Sequence, residues 1–255
     1  MARTIFITGA SSGIGAALAA HYARAGTVLG LVARRKELLA ELARTLGVAC
    51  ATYAADVGDP QALRTAADDF IARHGVPDIV IANAGISVGT SGAEAEDVAV
   101  LDRILRTNVV GLAATLQPFV APMRARGSGV LAGIASVAGF RGVPGAGGYS
   151  ASKAGSIAWL ESLRVELAGT GVAVVTVCPG YIDTPMTRVN RHPMPFLLSS
   201  EVGARRIARV IDARRSLAVV PWQMALVAWL MRRLPNRIYD ALARRGPRKP
   251  RKLPV

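Results

Sequence analysis

Tyr149 and Lys153 stand four residues apart in the stretch Tyr149-Ser150-Ala151-Ser152-Lys153. On a helix they share one face, a turn apart. A cation beside a phenol favours the phenolate and lowers its pKa. Such a tyrosine can donate and accept a proton as a general acid/base. The pair alone also fits an ordinary amphipathic surface, so its meaning depends on its company. The apolar run 4–8 ends in Thr8-Gly9-Ala10-Ser11-Ser12-Gly13-Ile14-Gly15, and an Ala-rich helical segment follows at once. Glycines there permit a tight turn and let backbone N–H groups approach a pyrophosphate at the helix N-terminus. The spacing is G-x3-G-x-G. A third cluster, Arg34-Arg35, follows the run 27–33. An NAD site usually places an acid there for the ribose hydroxyls, whereas arginine grips a 2′-phosphate, so NADP(H) is the expected cofactor.

The elements that must position these residues alternate along the whole chain. Short apolar, β-branched runs lie at 4–8, 27–33, 49–55, 78–84, 129–135, 172–178 and 217–220. Several are apolar throughout, as in strands covered on both faces of a parallel sheet. Amphipathic stretches near 14–25, 35–46, 60–74, 97–126, 150–169 and 200–212 separate them. This order predicts an α/β class, doubly wound parallel sheet of the Rossmann type, built by right-handed crossovers. The expected division is a cofactor-binding and catalytic domain over 1–221 and an apolar, basic extension over 222–255 that is no domain of its own. Residues 186–199, with two prolines, read as a mobile loop or lid.

Taken together these motifs closely resemble the short-chain dehydrogenase/reductase family in its compact single-domain form, over about residues 4–221. Thr8 to Gly15, including Gly9, Ser11, Ser12, Gly13 and Ile14, match its TGxxxGIG loop. Asn83-Ala84-Gly85 match its NAG motif. Asn108, Ser136, Tyr149 and Lys153 match its catalytic tetrad. Pro179-Gly180, Ile182 and Thr184 fall in its stretch at the nicotinamide end of the cofactor, and Asp56-Val57 match the pair whose Asp contacts adenine. The resemblance implies hydride transfer between a nicotinamide and a carbonyl or alcohol carbon. It implies that Tyr149 protonates the carbonyl oxygen, that Lys153 lowers the Tyr149 pKa and holds the nicotinamide ribose, and that Ser136 orients the carbonyl. Asn108 is implied to keep a water linking Lys153 to solvent. Thr8 and Asn83 have structural parts in the family. Enoyl reductases of the superfamily usually space Tyr and Lys more widely, and sugar epimerases are usually longer with another Gly loop. A ketone or aldehyde reductase, or the reverse dehydrogenase, remains. The rival from another class is a peripheral-membrane or scaffold protein that keeps a non-catalytic cofactor site.

Composition fits this reading. The chain has 255 residues, 51% apolar and 19% charged, enough for a sizeable core. Two cysteines, Cys50 and Cys178, and three histidines exclude a disulfide scaffold and leave no metal site. Both thiols are expected to be buried and inert. No targeting segment is recognised at the start and no apolar run approaches a bilayer span, so a cytoplasmic protein is expected. The substrate is expected to be an apolar, bulky carbonyl compound. Gly145-Ala146-Gly147-Gly148 leave room beside Tyr149, and Met186, Pro193, Met194, Pro195, Phe196, Leu197 and Leu198 make the lid apolar.

The net charge of +14 is uneven: from Arg205 onward 14 Lys/Arg face only Asp212 and Asp240, a balance of +12, which leaves +2 for the body. That is a basic tail on an ordinary domain, not a nucleic-acid-binding face. Trp222 to Met231 is apolar nearly all round, then basic at Arg232 and Arg233. Arg244, Arg245, Arg248, Lys249, Arg251 and Lys252 continue the charge. The extension is expected to govern association rather than chemistry. It reads as the interface of a homodimer or homotetramer, or as a membrane-surface anchor through Trp, Leu and basic residues.

Overall fold

A computed structural model of the chain describes residues 3–190, 192–244, 246, 248, 249 and 251. Arg245 and Lys252, named above among the basic positions, lie outside the described residues, as does Arg191. Seven parallel strands form one sheet in the order β3-β2-β1-β4-β5-β6-β7. They are β1 (Thr4–Thr8), β2 (Val28–Ala33), β3 (Ala49–Ala54), β4 (Ile79–Ala82), β5 (Gly129–Ile134), β6 (Val172–Pro179) and β7 (Leu217–Val220). The helices are α1 (Gly13–Tyr22), α2 (Lys36–Leu46), α3 (Pro60–His74), α4 (Asp97–Leu105), α5 (Gly111–Arg126), α6 (Gly147–Glu166), α7 (Pro185–Arg188), α8 (Ser200–Asp212), α9 (Gln223–Arg233) and α10 (Asn236–Ala243). This is the doubly wound Rossmann-type architecture expected from the alternation.

Strand pleating sorts the core into two layers. Ile5 and Ile7 of β1 face one side, against Leu18, Ile207 and Ile211 of α1 and α8. Phe6 faces the other, against Phe70 of α3 and Phe119 of α5 at ring separations of 5.4 and 4.9 Å. Both faces being covered explains the uninterrupted apolar runs. The chain turns from one side of β1 to the other between β1 and β4, and a cleft opens at the carboxyl ends of the strands there.

Four expectations change. The single helix expected over 97–126 carries a π-helical turn, Arg106–Val110, between α4 and α5. The composite helix Asp97–Arg126 is also long and apolar enough to cross a membrane, contrary to the expectation that no segment is. Its apolar residues Ile104, Leu112, Leu116 and Phe119 are instead buried within the fold. The segment 186–199 is not simply loop. It opens with α7, where Thr184 and Thr187 cap each other's backbone, and Leu198 bridges to Ile182. Finally, Cys178 is fully buried, with its thiol pushed up to about 12 by that burial, but Cys50 is only half-buried.

Candidate active site

The first wall of the cleft is the turn from β1 into α1. Gly9 has φ +68°, and a methyl group on Gly15 would lie 2.2 Å from the Gly9 carbonyl oxygen, so both positions exclude other residues. Asn83 fastens this turn to the end of β4: its side-chain amide donates to the Thr8 and Gly9 carbonyls at 3.0 and 3.3 Å. Its backbone N–H donates to the Thr8 hydroxyl at 3.2 Å, and Thr8 is wholly buried. The cleft has a volume of about 260 Å³ and runs from Arg34 and Arg35 past this turn to Tyr149 and Lys153.

At the Arg34 end the groups are exposed. Arg35 donates to the Ser11 and Ser12 hydroxyls at 3.2 and 3.3 Å, which draws one guanidinium and two hydroxyls into a single donor cluster. Arg34 lies 3.7 Å from Asp56 across the opening, with both side chains more than half exposed. Val57 is buried and packs on Gly111 rather than opening fully to the cleft.

At the other end the groups are buried. Asn108 sits in the π-helical turn, 1% exposed. Its side chain accepts from the Ile86 N–H at 2.8 Å and donates to the Ile86 carbonyl and the Ser152 hydroxyl, each at 2.9 Å. These three bonds tie the segment around Ile86 to α6 through one buried amide. Lys153, 4% exposed, donates to the Ile134 carbonyl at 2.8 Å. Burial pulls its pKa down to about 8. A methyl group on Gly85 would sit 3.2 Å from the Asn108 side-chain oxygen Oδ1 and 3.6 Å from the Lys153 Nζ, so the bare glycine keeps this corner open.

Tyr149 and Lys153 do lie one turn apart on α6, but the lysine nitrogen is 5.8 Å from the phenol ring centre and is engaged elsewhere. Burial pushes the Tyr149 phenol above its ordinary value, and the opposing pull is a hydrogen bond with Ser136. Lys153 is not among the groups that shift the phenol, so the expected lowering by Lys153 is not found. Ser136 follows β5; it accepts from Ala138 N–H at 3.2 Å and is buried beside Tyr149. Pro179, Gly180, Ile182 and Thr184 line the same end. So do Ile86, Thr107 and Thr187, which the sequence reading did not single out, and Met186, which it placed in an apolar lid. Ser152, inside the Tyr–Lys motif, is a further unforeseen member, because it holds Asn108.

The larger surprise is the C-terminal segment. Arg141, in the loop before α6, donates to the carbonyls of Met231 and Leu234 and to Asn236, and lies 3.8 Å from the centre of the Tyr239 ring. Lys249 donates to Ser87 at 2.7 Å, and its nitrogen stands 5.8 Å from the Tyr149 ring centre. The room expected at Gly145 is taken: a methyl group there would lie 2.9 Å from Arg248. The extension therefore frames the Tyr149 end of the cleft instead of standing apart from it. Nor is α9 apolar on a free perimeter, since Met224 and Ala228 are buried while Leu226, Trp229 and Leu230 face outward.

The donor set suits a dinucleotide. Backbone and hydroxyl donors surround the β1–α1 turn, arginines stand at one end, and a lysine and a phenol stand at the other. Residues 3–194 match the family model described as short chain dehydrogenase. An "uncharacterized oxidoreductase" of Myxococcus xanthus is 39% identical over 246 residues, 95% of this chain and 97% of that one. A short-chain type dehydrogenase/reductase from Mycobacterium marinum superposes with a TM-score of 0.79 at 26% identity, over 87% of this chain and 95% of its own. A 3-ketoacyl-(acyl-carrier-protein) reductase from Brucella melitensis, solved with NADH, gives 0.77 at 26% identity, over 86% and 96%.

Proposed function

The chain belongs to the short-chain dehydrogenase family, and from that premise we propose that it is an NADP(H)-dependent reductase or dehydrogenase of apolar carbonyl compounds or secondary alcohols. The observation that carries this reading is the convergence of Ser136, Tyr149 and Lys153, with Asn108 bonded behind them, from three places in the chain, at one end of a cleft whose other end holds Arg34 and Arg35. A nicotinamide cofactor, when bound, supplies or accepts the hydride. In reduction, Tyr149 keeps its proton until the carbonyl oxygen needs it, because burial disfavours the phenolate beforehand. Ser136 holds the phenol and the carbonyl oxygen in register. Lys153 presents a cation to the ribose and to the developing phenolate. Asn108 fixes the segment 85–87 against α6 through its bonds to Ile86 and Ser152.

The NADP(H) preference rests on Arg35, Ser11 and Ser12, with Arg34 beside them, and on the missing acid at the end of β2. The Brucella melitensis neighbour was solved with NADH, so the preference comes from these residues of this chain alone. Ile86, Ile182 and Met186 give the substrate end an apolar lining. We read residues 1–221 as the cofactor-binding and catalytic unit and the extension as its frame. Its outward face, with Trp222, Leu226, Trp229 and Leu230 each more than half exposed, is covered by a second copy of the chain. A panel of ketones, aldehydes and alcohols assayed with both cofactors tests the reading. Turnover that is faster with NADPH than with NADH is expected, and no turnover of any carbonyl overturns it.

A further inference from the structure

The described part of the tail crosses the mouth of the catalytic end and is fastened on both sides. Arg251 pairs with Asp97 and Glu96 at 3.1 Å each. The Asp97 side chain is only 7% exposed and also accepts from the Ser91 N–H at 2.6 Å, so this anchor is a largely desolvated carboxylate and not a loose surface pair. Arg248 packs against Gly145, whose φ of +76° and closeness to Arg248 both exclude a larger residue. Lys249 lies between these two fixed points.

Lys249 is in an unusual position for a lysine. It is half-buried, and burial pulls its pKa down to about 8. Its hydrogen-bond partner is the neutral Ser87 hydroxyl. Among the described residues, no carboxylate lies within ion-pair distance of it. Buried charges are paired as a rule, and this one faces the ring of the proton donor. An ammonium and a hydroxyl side by side, kept partly dry next to a reacting centre, match a carboxylate in charge and hydrogen-bonding capacity.

We propose that Ser87 and Lys249 form an anion subsite beside Tyr149, so that the carbonyl compounds this chain reduces carry a carboxylate on an apolar body. The proposal rests on Tyr149 being the proton donor only for where the carbonyl lies; the anion subsite itself stands without it. Lys249 is then a specificity-determining residue, and the tail forms part of the substrate site.

Calorimetry on the full chain with saturating NADP⁺ separates the two claims, using hexanoate and hexanamide as probes of equal shape. The wild type should bind hexanoate at least about tenfold more tightly than hexanamide. Lys249→Met, which keeps the apolar stem, should shrink that ratio to within about threefold, Ser87→Ala should lower it partway, and Lys249→Arg should keep most of it. A wild type without the preference, or a Lys249→Met variant that retains it, overturns the subsite. In parallel, 2-oxohexanoate and 2-oxohexanamide are compared by NADPH oxidation, and the kcat/KM ratio should fall in Lys249→Met by the same factor as the binding ratio. Hexanoate preference without turnover of any carbonyl leaves the subsite standing and sinks the reductase reading; turnover without the preference does the reverse.

Discussion

The two ends of the cleft are built on opposite principles. At the Tyr149 end, Asn108, Ser136 and Lys153 are all less than a tenth exposed, and each is held by backbone or by a buried hydroxyl. At the Arg34 end, the same kinds of polar group stand in solvent, and Arg34 meets Asp56 at 3.7 Å with both more than half exposed. Low dielectric strengthens each interaction of the buried end and makes each unpaired group costly. Solvent weakens the exposed pair toward zero net worth. Chemistry needs the first environment, because a proton donor must be fixed in place. Cofactor choice needs only the second, because a multiply charged phosphate brings its own strong partner. The buried end should therefore break sharply on mutation, and the exposed end should bend.

Tyr149→Phe tests the sharpest point. It keeps the ring and removes the proton, so kcat should fall by about 10²–10⁴, while NADPH binding followed by fluorescence survives. A variant that keeps more than a small fraction of wild-type turnover would remove Tyr149 from its role. Asn108→Ala comes next. It strips partners from Ile86 and Ser152 inside the fold, and leaving such groups unpaired costs about 1–3 kcal/mol each. Denaturant titration should show the loss in the apo chain, which separates a framework role from a purely chemical one.

At the exposed end, Arg35→Ala should weaken NADPH by about 1.5–3 kcal/mol, the worth of charge-assisted bonds. Arg34→Ala should do so by less, since Asp56 already opposes it. NADH affinity and thermal stability should hardly move for either. Equal losses for both cofactors would erase the contrast between the ends. The pH profile sharpens it further. Lys153 is cationic below about 8 and neutral above, because burial lowers its pKa. On a neutral ketone, kcat/KM for reduction should be flat below that point and fall about tenfold per unit above it. The groups facing Lys153 are Tyr149 and Cys178, both held neutral there by burial. Smallest in its effect on chemistry is Leu226→Glu with Trp229→Glu on the outer face of α9. It should lower the mass seen by light scattering and change turnover little. A wild type that is monomeric but sediments with anionic vesicles at low salt would give that face to lipid instead.

Much of the molecule was legible in the chain itself. The seven strands lie where apolar runs predicted them; in the central ones the reason is that a strand buried on both faces has to be apolar throughout, while the edge strands β3 and β7 are partly exposed. The Gly loop, Asn83 and the Tyr–Lys turn were legible because their function is local: a tight turn, a strand end, one face of one helix. The π-helical turn at Asn108 was not, since it is set by what Asn108 must reach, Ile86 and Ser152, and neither is near it in sequence. The phenol's state was misjudged for the same reason. Helical spacing puts Lys153 beside Tyr149, but only the fold shows the lysine bonded to Ile134 and the phenol shifted upward by burial. The tail is the plainest case. A basic, Pro-rich terminus reads as a surface for association with a second subunit or with lipid, and composition alone gives it no address within its own fold. Its address comes from pairings across more than 150 residues, Arg251 to Asp97 and Lys249 to Ser87. What each segment is able to do by itself is written in its residues; closing those long loops onto the buried Asp97 carboxylate and the Tyr149 ring is decided only when the whole chain has folded.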